Sequence, residues 1–334
     1  MENSILKGLN VIYAPGQKAD WTGRQSHPSL GHQYWHQAIE LGDINASNKE
    51  TDPAIGIVGY SCDEGVRRNF GRVGAANGPF MLKEKLAKLP LHLANKKLFD
   101  FGLVKCVKED MESCQLAFSK IIEQLITRNI FPIGIGGGHD IAYGHFMGVY
   151  EALKNKPNHK IGIINFDAHF DLRPTVDATN SGTPFNQIFA AMKQKNEMVD
   201  YLVLGIQQQS NTKELFDIAT KENVQYLTSF ECEPTDSAIE LVHEKLAAFI
   251  QQNDYIYVSI DLDGFSSAYA PGVSAPSPLG FAPHFVYKIL SFIFASKKVI
   301  SCDLAELNPT LDQDNITSNL AAKLVDHISS IKLF

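Results

Sequence analysis

Three short segments carry side chains that bind divalent cations: GGGHD at 136–140, DAHFD at 167–171 and SIDLD at 259–263. Between them they offer His139, Asp167, His169, Asp171, Asp261 and Asp263. Asp167, His169 and Asp171 stand at every second position, so an extended backbone would send their side chains from one face, about 6 to 7 Å apart. Asp261 and Asp263 repeat that spacing. Each segment follows a run of buried-strand character, IFPIGI, KIGIINF and YIYVSI respectively. The ligands are therefore expected at the carboxyl ends of parallel strands, where open α/β sheets bind ligands in a common crevice. Four ionised carboxylates in one crevice repel one another and lose hydration unless cations compensate them. Two divalent ions cancel their formal charge. An isolated Asp-x-His or Asp-x-Asp is more often a turn or a strand-end cap, and an isolated core histidine is usually just hydrogen-bonded. Their joint occurrence after three apolar runs points instead to a binuclear metal centre.

The elements that must position these residues are legible as eight apolar, β-branched runs: 54–60, 98–104, 129–135, 160–166, 201–206, 224–228, 255–260 and 299–307. Apolar residues at three- and four-residue steps predict helices over 111–128, 140–155, 212–222, 235–252, 283–296 and 316–331. Such alternation implies a parallel sheet covered on both faces. No composition break divides the chain, and the ligands come from both halves. We read residues 51–334 as one catalytic domain and 1–50 as an N-terminal extension packed on that domain or on a neighbouring subunit. The extension holds Trp21 and Trp35; its His27, His32 and His36 are spaced too loosely for a metal site.

Composition bounds the function class. The 334 residues are 44% hydrophobic, ample for a large core, and the net charge of −7 argues against nucleic acid as the main partner. Five scattered cysteines, Cys62, Cys106, Cys114, Cys232 and Cys302, suit a reducing cytoplasm better than a disulfide framework. The N-terminal residues lack a signal-peptide pattern, and no run of about 18 apolar residues occurs. A cytoplasmic protein is expected.

GGGHD, DAHFD, SIDLDGFSSAYAPGVSAP and the late AELNPTLD together resemble the ureohydrolase (arginase and agmatinase) family, from about residue 54 to the C-terminus. Within it the chain is most similar to the formimidoylglutamase branch, which splits N-formimidoyl-L-glutamate into L-glutamate and formamide in histidine degradation. The resemblance implies an α/β/α sandwich around an eight-stranded parallel sheet (arginase/deacetylase-like), two Mn2+ ions per subunit and a trimeric or hexameric assembly. Carboxylate and imidazole donors without thiolate independently suit a relatively hard ion. Carried over by position, the resemblance gives His139 and Asp171 to one ion, His169 and Asp263 to the other, and Asp167 and Asp261 to both. It makes Asp171 the proton carrier and Glu306 the partner of the amidinium nitrogens. A carboxylate accepts two such N–H bonds and complements their charge.

Departures from the arginase pattern narrow the substrate. Where arginases carry a histidine proton shuttle in an SGNLHG-like stretch, this chain has SGTPFN with Phe185 at that place, and Gly138 stands where the common GGDHS turn has aspartate. Both changes argue against arginase itself. Arg173, two residues beyond a ligand, can grip a substrate carboxylate with two parallel hydrogen bonds; its plainer alternative is a solvent-facing loop arginine. Arg67 and Arg68, with Arg72, form a second basic group for anion contact, although such loop arginines often pair with acids instead. Tyr143, His145 and Phe146 read as packing. Other ureohydrolase substrates, and a non-catalytic metal-binding role, remain the alternatives.

Overall fold

The computed structural model describes residues 4–93, 96–175 and 178–334. Its sheet contains β1 (Val11–Ala14), β2 (Glu40–Leu41), β3 (Ala54–Ser61), β4 (Lys97–Cys106), β5 (Ile130–Ile135), β6 (Ile161–Phe166), β7 (Val199–Ile206), β8 (Gln225–Thr228), β9 (Tyr255–Asp261) and β10 (Val299–Ala305). The spatial order is β1-β4-β3-β5-β10-β9-β6-β7-β8, with β2 also on β4. From β4 to β8 these are eight parallel strands, and each coincides with one of the apolar runs. β1 is added antiparallel to β4 and β2 parallel to it.

Alternate residues of each central strand enter opposite cores, as the two-residue period of a strand requires. Ile55 and Ile57 belong to the core under α3 (Gly78–Ala87), α8 (Asp236–Gln252), α9 (Pro283–Ala295) and α10 (Ile316–Ile331). Ala54, Val58 and Tyr60 face α4 (Met111–Thr127), α5 (Ile141–Leu153), α6 (Pro184–Gln194) and α7 (Lys213–Lys221). The result is a three-layer α/β/α sandwich. The remaining helices, α1 (Trp35–Ala38) and α2 (Glu64–Arg68), are single turns. No helix among the described residues is long and apolar enough to cross a membrane.

Between β5 and β6 the chain skips two strand positions, which β10 and β9 fill later. That reversal of strand order opens the crevice in which doubly wound sheets hold ligands. The N-terminal segment lies against the domain through β1 and through both indoles: Trp21 donates to Asp100 Oδ2 at 2.8 Å, and Trp35 to Asp326 Oδ1 at 2.7 Å.

Candidate active site

The loops after β5, β6 and β9, and the residue following β10, meet over four neighbouring strands. The expected extended geometry is not what joins them. The chain leaves β6 at Phe166 and turns: Asp167 Oδ1 accepts the His169 N–H at 2.7 Å, and Asp171 sits in the left-handed region at φ 49°. In the third segment Asp261 Oδ1 likewise accepts the Asp263 N–H, at 2.8 Å. Each aspartate thus closes a local turn with one oxygen and turns the other inward, a conformation that a short carboxylate side chain favours.

The glycine turn is fixed by its neighbours. Gly136 N–H donates to Leu304 O at 2.7 Å, Gly137 N–H to Tyr60 O at 2.7 Å and Gly138 N–H to Cys62 O at 2.9 Å. A Cβ on Gly137 would lie 1.7 Å from the Cys62 carbonyl oxygen, so only glycine fits. Gly137→Ala is expected to destabilise the fold by about 3 kcal/mol through forced backbone displacement and to loosen metal binding. Urea unfolding of the metal-free variant checks the first effect and Mn2+ titration the second.

Within this frame His139 Nδ1 lies 2.9 Å from Asp171 Oδ2, 3.1 Å from Asp261 Oδ2 and 3.2 Å from Asp167 Oδ2. His169 Nδ1 lies 3.2 Å from Asp263 Oδ2 and 3.4 Å from Asp167 Oδ1. The ligand atoms of His139, Asp167, Asp171 and Asp261 fall within 4.8 Å of one another, as do those of Asp167, His169 and Asp263. Asp167 is common to both groups, whereas Asp261 falls only in the first.

Electrostatics of the metal-free cluster shows what is required of a ligand. Burial and the charge on Asp263 hold Asp261 well above the usual carboxylate range. Burial opposes charge on His139, but Asp167, Asp171 and Asp261 outweigh it and hold the imidazole well above its ordinary range. Without cations the cluster limits its charge by retaining protons. His139 Nδ1, Asp263 Oδ1 and Glu306 Oε2 are buried without a hydrogen-bond partner. Hard oxygen donors, imidazole nitrogen and these orphaned atoms fit a pair of divalent cations.

Glu306 follows β10 in the left-handed region at φ 67°, an uncommon state for a long side chain. Its Oε1 accepts the His139 N–H at 2.9 Å, while burial, with the charge of Asp263, pushes its carboxyl up to about 8. A cavity of about 320 Å³ opens over the cluster, lined by His139, His169, Asp171, Asp261, Asp263 and Glu306, with Arg72 and Arg173 further out.

Arg67 and Arg68 do not line this cavity; Arg72 does. Arg67 is drawn to Glu64 at 2.6 Å and Glu109 at 3.3 Å, and Arg68 to Glu64 at 2.9 Å and Glu112 at 2.6 Å. Arg72 instead donates to the uncharged carbonyls of Val273 and Ser274, and no ion pair to Arg72 or Arg173 occurs among the described residues. Arg173 is held by its loop: its N–H donates to Gly182 O at 2.9 Å, and Asn186 Nδ2 donates to its carbonyl at 3.0 Å.

Phe185, at the place of the arginase shuttle, is buried, stacks on Tyr201 at 4.2 Å and turns its ring edgewise to His139 at 5.5 Å. It packs behind His139 and carries no proton. Supporting residues not singled out from the sequence include Asn211, which accepts the Phe170 N–H at 3.0 Å and donates to Ala168 O at 2.9 Å, bracing the DAHFD loop. Asn165 and Ser259 are others. Each stands two positions before a ligand aspartate on the same strand face, and that polar interruption of an apolar run was a readable signal.

The arginase family model matches residues 53–330 of this chain. A formimidoylglutamase from Clostridium tetani is 42% identical over 95% of this chain and 95% of its own length. The chain belongs to the arginase family. The fold agrees with the family's solved structures: the crystal structure of formimidoylglutamase from Bacillus subtilis covers 93% of this chain and 96% of its own, with TM-score 0.77 at 22% identity. Trypanosoma cruzi formiminoglutamase, crystallised with Mn2+, matches with TM-score 0.71 at 23% identity, over 86% of this chain and 96% of that one.

Proposed function

We propose that this family member hydrolyses N-formimidoyl-L-glutamate to L-glutamate and formamide at a centre of two Mn2+ ions, in the cytoplasm. The observation carrying the substrate class is the pair of arginines lining the cavity, with no acidic partner among the described residues, beside an acidic cluster and a buried glutamate. A substrate with a cationic amidine at one end and two carboxylates at the other complements that division of charge. The relatives named formimidoylglutamase support the same choice.

His139, Asp167, Asp171, His169, Asp261 and Asp263 would hold the ions. When bound, a divalent pair supplies the acidity that makes water a nucleophile near neutral pH. The chain's own groups do the rest. Facing the cationic amidinium the Glu306 carboxyl ionises, and its orphaned Oε2 receives the amidinium N–H and fixes the carbon in reach of attack. Asp171, at the edge of the cavity, accepts the proton of the attacking water and delivers it to the glutamate nitrogen as the carbon–nitrogen bond breaks. Arg173 and Arg72 take the substrate carboxylates.

The test is an assay of Mn2+-loaded protein with formimidoylglutamate, arginine, agmatine and guanidino acids. Formamide release from the first is expected; urea from the others without activity on the first overturns the substrate. Arg173→Ala should raise KM about 10- to 100-fold, as loss of a charged hydrogen-bonded pair implies, with Mn2+ content unchanged. Parallel loss of metal and activity would remove Arg173 from substrate binding.

A further inference from the structure

One row of polar side chains crosses the buried centre of the sheet beneath the ligands. In register across β5, β10, β9 and β6 stand Gly134, Asp303, Ser259 and Asn165. Asp303 and Ser259 are fully buried, as are His145 on α5 and Tyr257 on β9. Asp303 Oδ1 accepts the Ser259 hydroxyl at 2.7 Å, and Oδ2 accepts the Tyr257 hydroxyl at 2.5 Å. His145 Nδ1 lies 2.7 Å from the same Oδ2. A Cβ on Gly134 would come within 3.0 Å of both Asp303 Cβ and His145 Nδ1, so the glycine makes room for this pair. Ser259 Oγ lies 2.9 Å from His139 Nε2.

A serine hydroxyl has one proton, and here it goes to the carboxylate. Ser259 can therefore meet His139 only as an acceptor, so when His139 gives up its second proton to a cation the one that stays on the imidazole is on Nε2. The lone pair is then on Nδ1, the atom facing Asp167, Asp171 and Asp261. Were Asp303 neutral and amide-like, its NH2 could donate to Ser259, freeing the hydroxyl to donate to Nε2. The proton would then sit on Nδ1, where a cation must bind.

We infer that Asp303, braced by His145 and Tyr257, is a positioning residue that selects the metal-binding tautomer of His139 through the Ser259 hydroxyl. This rests on reading His139 as a ligand. No direct contact between Asp303 and the cation is needed, and no proton moves along the Asp303–Ser259–His139 row during turnover.

The experiment titrates metal-free protein with Mn2+ and follows the free-ion EPR signal. Asp303→Asn should lose about 10- to 100-fold in Mn2+ affinity, as for other groups that orient a ligand histidine, and Ser259→Ala a similar factor. Because the two residues act in series, the double variant should bind no worse than the weaker single variant. Ser259→Thr keeps the hydroxyl and should keep most of the affinity. Folded Asp303→Asn protein with wild-type affinity, or losses that multiply in the double variant, would overturn the inference. If Asp303→Asn does not fold, the serine pair decides: equal affinity loss in Ala and Thr variants would mean shape alone matters. Failure of the wild-type chain to take up Mn2+ would instead sink the reading of the centre itself.

Discussion

Asp261→Asn is expected to stabilise the metal-free protein while removing most of its activity. The two effects share one cause. Burial and the neighbouring charge of Asp263 hold the Asp261 carboxyl well above its ordinary range. An acid raised on folding keeps its proton longer in the native chain than in the unfolded one. Its contribution is therefore unfavourable once pH passes its unfolded range, and neutral pH lies there. Asparagine preserves the oxygen that accepts the Asp263 N–H and cannot ionise, so the metal-free melting temperature should rise. The same change removes a negative ligand that compensates the cations. Cation-dependent catalysis is worth several kcal/mol, so turnover should fall on the order of 10³-fold. Asp167→Asn provides the contrast. Burial opposes charge on Asp167 too, but His139 and His169 hold it below the usual range, so its ionised form is favoured in the metal-free fold. That variant should lose activity and metal-free stability together. Melting curves in chelator with kcat in Mn2+ separate the cases. A lower metal-free melting temperature in Asp261→Asn would show that crowding of the carboxylates is not what the cations relieve.

Much of this site was legible because its residues interrupt apolar runs with types that a buried strand end seldom tolerates. β3 to β10 could be located for the same reason: strands buried on both faces leave continuous hydrophobic stretches. β1 and β2 lack that signal because they are short edge strands, half-exposed or exposed. α3 and α6 were hidden differently. Each carries proline in its first turn, inside GPFML and TPFNQ, where punctuation residues suggest a loop although proline fits the first helical turn. The ligand types were readable, but their geometry was not. A two-residue spacing suggests a pleat, whereas an aspartate that accepts an N–H two residues on makes a turn, and sequence alone does not choose between them. The choice among arginines was equally hidden. Arg67, Arg68 and Arg72 look alike in sequence, and only the folded positions of Glu64, Glu109 and Glu112 separate the first two from the third.

Lys83→Met is expected to lower global stability by about 3–5 kcal/mol, the usual consequence of leaving a buried charge without its partner. Lys83 on α3 and Asp100 on β4 are almost wholly buried, and their Nζ and Oδ1 are 2.5 Å apart. Asp100 also accepts the Gly102 N–H at 2.9 Å and the Trp21 indole at 2.8 Å, so one carboxylate joins α3, β4 and the N-terminal segment. The arrangement needs Gly102, whose φ of 71° turns β4 and brings its Cα so near Ala14 that a Cβ would lie 2.1 Å from the Ala14 carbonyl oxygen. In the lysine variant the neutral donors remain but the compensating charge does not. Asp100→Asn creates the opposite defect, a buried ammonium facing an amide. The double variant Lys83→Met/Asp100→Asn should cost less than the sum of the two, because neither charge is left stranded. Urea unfolding of the four proteins measures that coupling. Asp100 lies on β4, whereas the ligand loops follow β5, β6 and β9, so kcat per folded molecule should be unchanged. A single-variant loss below about 1 kcal/mol, the range of exposed ion pairs, would mean that solvent reaches this pair and that the N-terminal segment is anchored by its indoles and strand pairing alone.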